Sequence, residues 1–377
     1  MFNVSDPSRN EFMLDGPYLY KGYDWWWHSF TGINERTGEE KSFFIEFFTC
    51  NPGLGGFEPL FGQHPFSQKN KIRPSYLMVK VGCWGEDAVQ LHRFFPWTDV
   101  RLHPQAPYIV KADDCLASDK RLRGRVTVSE EDAVNHPEWM SDSGQMEFDL
   151  KVDKKVAFNV GYGAGTLFRK LKAFEMYWHA EGMKTLYEGY VVLNGEKYNV
   201  SYDSSYGYAD KNWGSNFTSP WVWLSSNDLV SKRTGRRLKN SVFDIGGGRP
   251  KVYFVPLERK LLSAFLYQGE EFEFNFSKFW TKTRTKFDCK ETEEEILWHV
   301  RQSNKEAMMD VKIRCRKKDM LLINYEAPDG QKRHNRLWNG GNGKGIIKLY
   351  RKTPKGLKLI DEIVAKHVGC EYGEYTK

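Results

Sequence analysis

The chain has 377 residues, of which 15% are aromatic (13 Trp, 19 Tyr and 25 Phe), and a formal net charge of +7. That length supports one large core or two ordinary ones, with two domains the stronger expectation, and the aromatic content favours strands and large apolar cavities over helical bundles. Acids and bases interleave throughout and no basic run joins the aromatics, which argues against a nucleic-acid groove and leaves at most a transient contact with an anionic membrane surface.

The opening Met1-Phe2-Asn3-Val4-Ser5-Asp6-Pro7 has no basic start followed by an apolar run, and no later stretch is an uninterrupted membrane-spanning length. A soluble, cytoplasmic protein is the expectation. Six cysteines are scattered without C-x-x-C spacing, as expected of buried thiols rather than disulfides or zinc ligands.

In chain order, Tyr23 to Phe30 reads as a strand with Trp25 and Trp27 on one face and Trp26 and His28 on the other. A turn at Thr37-Gly38-Glu39-Glu40 leads into a second strand, Lys41 to Thr49, completing a hairpin. Residues 51–74, rich in Gly and Pro, are too long for a hairpin turn and are placed across a pocket opening as a lid. Tyr76 to Trp84 is again β in character, and Glu86 to Phe95 fits either a helical turn or a strand. Short β runs follow at Tyr108 to Val110, Arg123 to Val128, Gln145 to Leu150 and Val156 to Val160, interrupted by a charged surface insertion over 129–142. The glycines Gly161, Gly163 and Gly165 lack the strand–turn–helix setting of a dinucleotide site and read as a loop.

Asn194-Gly195 between Leu186 to Leu193 and Glu196 to Tyr202 is a strong hairpin signal. Further β runs are expected at 252–255, Leu261 to Tyr267, Glu271 to Phe276, Val311 to Cys315 and Met320 to Tyr325. Glu291 to Val300 is taken as an edge strand over a helix. Gly340, Gly341, Gly343 and Gly345 suit tight turns. Many short strands with polar outer faces call for closed or nearly closed antiparallel sheets.

The most distinctive stretch is Tyr206-Gly207-Tyr208-Ala209-Asp210-Lys211-Asn212-Trp213-Gly214, followed by Phe217 and by Trp221-Val222-Trp223-Leu224, a strand with both Trp rings on one face. It resembles the Tyr-x-Glu-Lys-Asp-Trp-Gly segment, with its following Phe-Pro and Trp-x-Trp, of the tocopherol cyclase-like family, itself similar to tandem lipocalin-like proteins around carotenoid hydratases. Leu266-Tyr267-Gln268-Gly269, Trp338-Asn339-Gly340-Gly341 and Cys370-Glu371-Tyr372-Gly373 also look like family segments. In the first half the similarity rests on the Trp25-Trp26-Trp27-His28 run. The resemblance implies an all-β fold of two lipocalin-like antiparallel barrels in tandem, 1–175 and 176–377. It also implies a hydrophobic prenylated phenol, quinol or other isoprenoid substrate, closed into a ring (or hydrated or isomerised) with the help of an acid, with no cofactor and no metal. The family glutamate falls on Asp210 and the family aspartate on Asn212. The first change shortens a carboxylate's reach, and the second removes a charge and any acid–base role.

Protonating an alkene needs a desolvated acid beside the carbon, and aromatic faces stabilise the cation that results. Asp210 is the leading candidate acid: apolar surroundings would raise its pKa, a close Lys211 would oppose this, and an Asp210–Lys211 surface salt bridge is the alternative. His28 is the second candidate, against a purely structural hydrogen bond. Glu46, within Phe43-Phe44-Ile45-Glu46-Phe47-Phe48, is the third, and if buried it needs a partner or a proton. Trp25, Trp27, Tyr208, Lys211, Asn212, Trp213, Trp221 and Trp223 are the expected substrate-binding residues. Arg249 and Asp244 are taken as a structural pair. The competing function is a non-catalytic lipid or pigment binder, which would confine polar groups to the pocket rim.

Overall fold

A computed structural model describes residues 2, 6–160, 170–172, 174–249, 251–252, 255–256, 260–331 and 333–374. The expected loop at Gly161 to Gly165 and positions 253–254 of one expected strand lie outside them. The described chain is nearly all β, in two antiparallel sheets curled into barrel-like shapes.

The first sheet has twelve strands. They are β1 (Tyr23–Asn34), β2 (Glu40–Cys50), β3 (Tyr76–Cys83), β4 (Val89–Phe95), β5 (Val100–His103) and β6 (Ile109–Ala112), then β7 (Cys115–Ser118), β8 (Arg121–Val128), β9 (Gly144–Phe158), β10 (Met176–Leu193), β11 (Glu196–Val200) and β12 (Gly207–Gly214). The second sheet has eleven. They are β13 (Trp221–Ser226), β14 (Asp228–Ser231), β15 (Val242–Gly248), β18 (Lys260–Tyr267), β19 (Glu270–Phe274) and β20 (Arg284–Glu291), then β21 (Glu295–Ser303), β22 (Ala307–Arg316), β23 (Leu321–Glu326), β24 (Arg333–Thr353) and β25 (Gly356–Gly373); a separate ribbon pairs β16 (Lys251–Val252) with β17 (Val255–Pro256).

Three apolar clusters organise these strands. One fills the first barrel (Trp26, Phe30, Phe43, Phe47, Leu122), one the second (Leu224, Phe243, Phe265, Trp298, Val311), and a third lies between the sheets (Trp27, Phe44, Phe48, Trp178, Tyr208, Trp223, Tyr325). Strands on the outside alternate exposed and buried residues, as β8 does throughout. Strands that face a barrel core on one side and the other sheet on the opposite side are buried along their whole length, as β3, β12 and β13 are. That double burial admits the aromatic runs of the sequence and obliges every polar residue on those strands to find a partner.

Several expectations differ from this arrangement. Residues 176–214 hydrogen-bond within the first sheet, so the chain passes from one sheet to the other between Gly214 and Trp221, later than residue 175. Glu86 to Phe95 resolves as the strand β4, and the two runs between 145 and 160 are one long strand, β9. The glycines from Gly340 to Gly345 lie inside β24 and not in turns. Gly341 gives room to the Trp84 ring, as Gly246 does for Trp178 and Gly369 for Trp223. The expected strand reaching Phe276 ends at Phe274, and Asn275 beyond it is buried. The Glu291 to Val300 stretch spans the end of β20 and the start of β21, with β20 as the sheet edge.

Candidate active site between the two sheets

The register of β1 against β12 decides which residues meet the second sheet. Trp25 lies opposite Asn212, Trp27 opposite Asp210 and Ser29 opposite Tyr208, whereas Asp24 lies opposite Trp213, Trp26 opposite Lys211 and His28 opposite Ala209. Opposed residues share a face. The first set therefore points between the sheets and the second set into the first barrel.

A small cavity of about 10 Å³ lies on the inter-sheet side, walled by Trp25, Trp27, Trp221, Trp223 and Tyr325, with Asp210, Asn212 and Glu371 as its polar groups. Six of the eight were expected from the sequence. Glu371 and Tyr325 were not assigned a role; both lie far along the chain from the Asp210 motif and arrive through β25 and β23. The only local signal for Glu371 was its place in the Cys370-Glu371-Tyr372-Gly373 segment.

Asp210 accepts hydrogen bonds at Oδ2 from Trp178 Nε1 (3.0 Å) and Tyr208 Oη (3.2 Å), while Oδ1 has no hydrogen-bond partner among the described residues. Burial drives its pKa well above the ordinary carboxylate range, and the charge of Glu371 pushes it further, against the pull of the two donors. The expected opposition from Lys211 is absent because that ammonium is on the other face, paired with Asp24 and 3.8 Å from the Trp26 ring. With Oδ2 occupied by two donors, the carboxylic proton belongs on Oδ1. Asp210 thus sits among indole rings in surroundings that favour its protonated form, and is not one half of a surface salt bridge.

Glu371 accepts from Trp221 Nε1 (2.7 Å) and from Asn339 Nδ2, and burial lifts its pKa to about 7. Asp244, on β15, accepts at Oδ1 from Trp223 Nε1 (3.1 Å), and its Oδ2 lies 3.4 Å from Tyr208 Oη. Burial and the neighbouring Asp210 hold its pKa well above the usual range. Asp244 is therefore bound up with the tryptophan and tyrosine of the site and not with Arg249, which is exposed.

The remaining candidates lie elsewhere. His28 is buried in the first barrel with Nδ1 2.8 Å from Tyr187 Oη, and burial holds it well below its usual pKa, which makes it a neutral structural partner off the cavity. Lys211 and Trp213 also face away from the cavity. Glu46 faces the second sheet but does not line the cavity: its Oε2 is 3.4 Å from Lys80 Nζ and accepts from Tyr325 Oη (3.2 Å). Tyr208 touches the site through its hydroxyl. Residues 51–74 pack against the end of β23, with Gln63 and Gln68 donating to the carbonyl of Gly330. Among the described residues no cluster of His, Cys, Asp and Glu is arranged to hold a metal ion, and no helix is long and apolar enough to cross a membrane.

Solved structures similar to the chain include two that are covered almost throughout. One is a putative AttH from Nitrosomonas europaea (13% identity, 99% of this chain and 97% of that chain covered, TM-score 0.46). The other is kievitone hydratase from Nectria haematococca (12% identity, 99% and 93% covered, TM-score 0.46). No curated protein sequence matches the chain. The model of one family, described as tocopherol cyclase-like, matches residues 141–374, which include Asp210, Asn212, both cavity tryptophans of β13, Tyr325 and Glu371. With more than half of its length so matched, this chain belongs to the tocopherol cyclase-like family.

Proposed function

We propose that the protein catalyses acid-assisted addition of an O–H group across the alkene of a hydrophobic prenylated phenol, quinol or related isoprenoid. With an intramolecular hydroxyl the reaction is a cyclisation, and with water a hydration. The observation that carries this reading is Asp210, a buried neutral acid whose proton-bearing oxygen is unpartnered in an aromatic cavity.

Asp210 Oδ1–H adds its proton to the less substituted alkene carbon, leaving a carbocation at the other. Indole faces of Trp25, Trp27, Trp221 and Trp223 offset that charge, as aromatic rings do for other cations. The hydroxyl oxygen bonds to the cation and releases its proton to the Glu371 carboxylate. One proton leaves Asp210 and one arrives at Glu371, so cyclisation leaves the substrate's atoms unchanged in number and hydration adds one water. Two carboxyls whose surroundings hold them at different pKa values are the usual basis for such acid and base assignments. Trp178 and Tyr208 then steady the Asp210 carboxylate until solvent reprotonates it.

Storage of a whole lipid or pigment accounts less well for the site. A space of about 10 Å³ has no room for a stored lipid or pigment, and a reacting alkene end enters it only as the surrounding rings move apart; a container also has no use for two carboxyls among indoles. Incubation in D₂O with a geranylated hydroquinone tests the proposal. The expected product carries one deuteron on the former alkene carbon, and Asp210→Asn lowers its rate by about 10²-fold or more. Recovery of the hydroquinone unchanged from the wild type overturns it.

A further inference from the structure

Two buried hydrogen-bond donors in this cavity have no partner among the described residues: the indole Nε1–H of Trp25 and the amide Nδ2 of Asn212. Neither group is incidental. The Trp25 and Asn212 positions lie opposite each other on β1 and β12, on the face that meets the second sheet. The amide is oriented by Tyr23, whose hydroxyl donates to Asn212 Oδ1 at 2.8 Å, so that Nδ2 is the end left over. Asn212 is almost wholly buried, and a buried donor without an acceptor is destabilising unless a ligand supplies one. Indole N–H donates and cannot accept, and the NH₂ end that Asn212 is left presenting can likewise only donate.

We infer that Trp25 and Asn212 form a subsite for a hydrogen-bond-accepting oxygen of the substrate, a carbonyl in particular, held beside Asp210. This takes the cavity as the substrate site, as the proposed function does, and adds what the substrate must carry besides an alkene. An oxygen receiving two hydrogen bonds loses nucleophilicity, so the oxygen held here is the anchor and not the one that attacks the cation. The residue type matters. A carboxylate at position 212 would present acceptors to the same space. The exchange of one oxygen for an NH₂ turns the subsite from one that receives a hydroxyl hydrogen into one that gives hydrogens to a carbonyl. On this reading the chain's preferred substrates are prenylated ketones or quinone-type carbonyl compounds.

The test uses acetophenone and ethylbenzene, two aromatic probes of similar size that differ in the carbonyl oxygen and contain no alkene to protonate. Binding to the full-length protein is followed by the indole N–H resonances of ¹⁵N-tryptophan-labelled samples. Acetophenone is expected to bind about tenfold more tightly than ethylbenzene, the worth of two neutral hydrogen bonds, and to move the Trp25 Nε1–H resonance downfield. Asn212→Asp is expected to abolish the preference, and Trp25→Phe, which introduces no buried charge, to reduce it severalfold. Equal affinities, no saturable binding of either probe, or an unmoved Trp25 resonance overturns the inference. Because neither probe can react, these outcomes are independent of whether Asp210 protonates alkenes, which the deuterium experiment decides.

Discussion

Asp210 and Glu371 reach one cavity from β12 and β25, and their roles separate through their surroundings. Glu371 is raised from 4.5 to about 7, chiefly by burial, so it is a carboxylate able to accept a proton only above about pH 7. Asp210 must keep its proton to act, and its pKa stands well above the ordinary range. Turnover is therefore expected to rise through about pH 7 and to fall again at higher pH as Asp210 ionises, and Glu371→Gln is expected to remove the rising limb. The same shift has a stability consequence of definite sign. The folded state holds the Glu371 proton more tightly than the unfolded chain does, so its stabilising contribution is complete below about pH 4.5 and is lost as pH rises towards 7. Glu371→Gln should flatten this part of a stability–pH curve by on the order of 2 kcal/mol, allowing for the partial exposure of the side chain, as read by urea denaturation at pH 5 and pH 8. At this scale the sequence was informative where residues are neighbours in the chain: Asp210, Asn212, Trp221 and Trp223 come from one short stretch. It was silent on Glu371 and Tyr325, because nothing local marks a glutamate or tyrosine that long-range pairing brings to the same cavity. It also could not say that Lys211, adjacent to Asp210 in the chain, would serve the opposite face.

Strand by strand, the alternation rule placed Trp25 and Trp27 together and away from Trp26 and His28, and the β1–β12 register carries that division across to Asp210 and Lys211. What pattern reading missed was the use of glycine within strands. Glycine in a strand weakens it unless something occupies the space above it, and here large rings do. A Cβ at Gly246 would stand 2.6 Å from the Trp178 ring, and Trp178 holds Asp210 through its indole nitrogen. Gly246→Ala should therefore cost about 1–3 kcal/mol by overpacking and should also displace the acid. Gly56→Ala, with nothing within 4 Å of the added carbon, should stay within about 0.5 kcal/mol. Thermal denaturation of the two variants side by side checks the contrast, and equal melting temperatures would remove the role assigned to Gly246. Gly341, which makes room for the Trp84 ring in the same way, read as a turn residue in the sequence because a ring packed from another element leaves no local trace.

Across the whole molecule, the two sheets are joined by polar groups that neither sheet satisfies alone. Lys80 on β3 and Glu46 on β2 are fully buried, 3.4 Å apart, and the second sheet supplies the rest: Tyr325 donates to Glu46, its ring lies 3.6 Å from the Lys80 ammonium, and the Asn324 carbonyl accepts from that ammonium at 3.0 Å. Burial lowers the Lys80 pKa to about 8 and raises that of Glu46, each opposed by the charge of the other. Lys80→Met leaves Glu46 without its cation between the sheets, and breaking a buried pair in this way typically costs about 3–5 kcal/mol. The loss should be smaller at pH 5 than at pH 8, because an unpaired Glu46 escapes part of the cost by taking up a proton, and that escape weakens as pH rises above the unfolded-state pKa. Glu46→Gln combined with Lys80→Met removes both charges and should recover most of the stability, since the charge left behind, more than the attraction given up, dominates the cost of breaking the pair. Chemical denaturation of the single and double variants at the two pH values measures each quantity. A double variant no more stable than Lys80→Met would mean that the two charges contribute independently. The junction between the sheets would then rest on its aromatic rings and not on the ion pair buried among them.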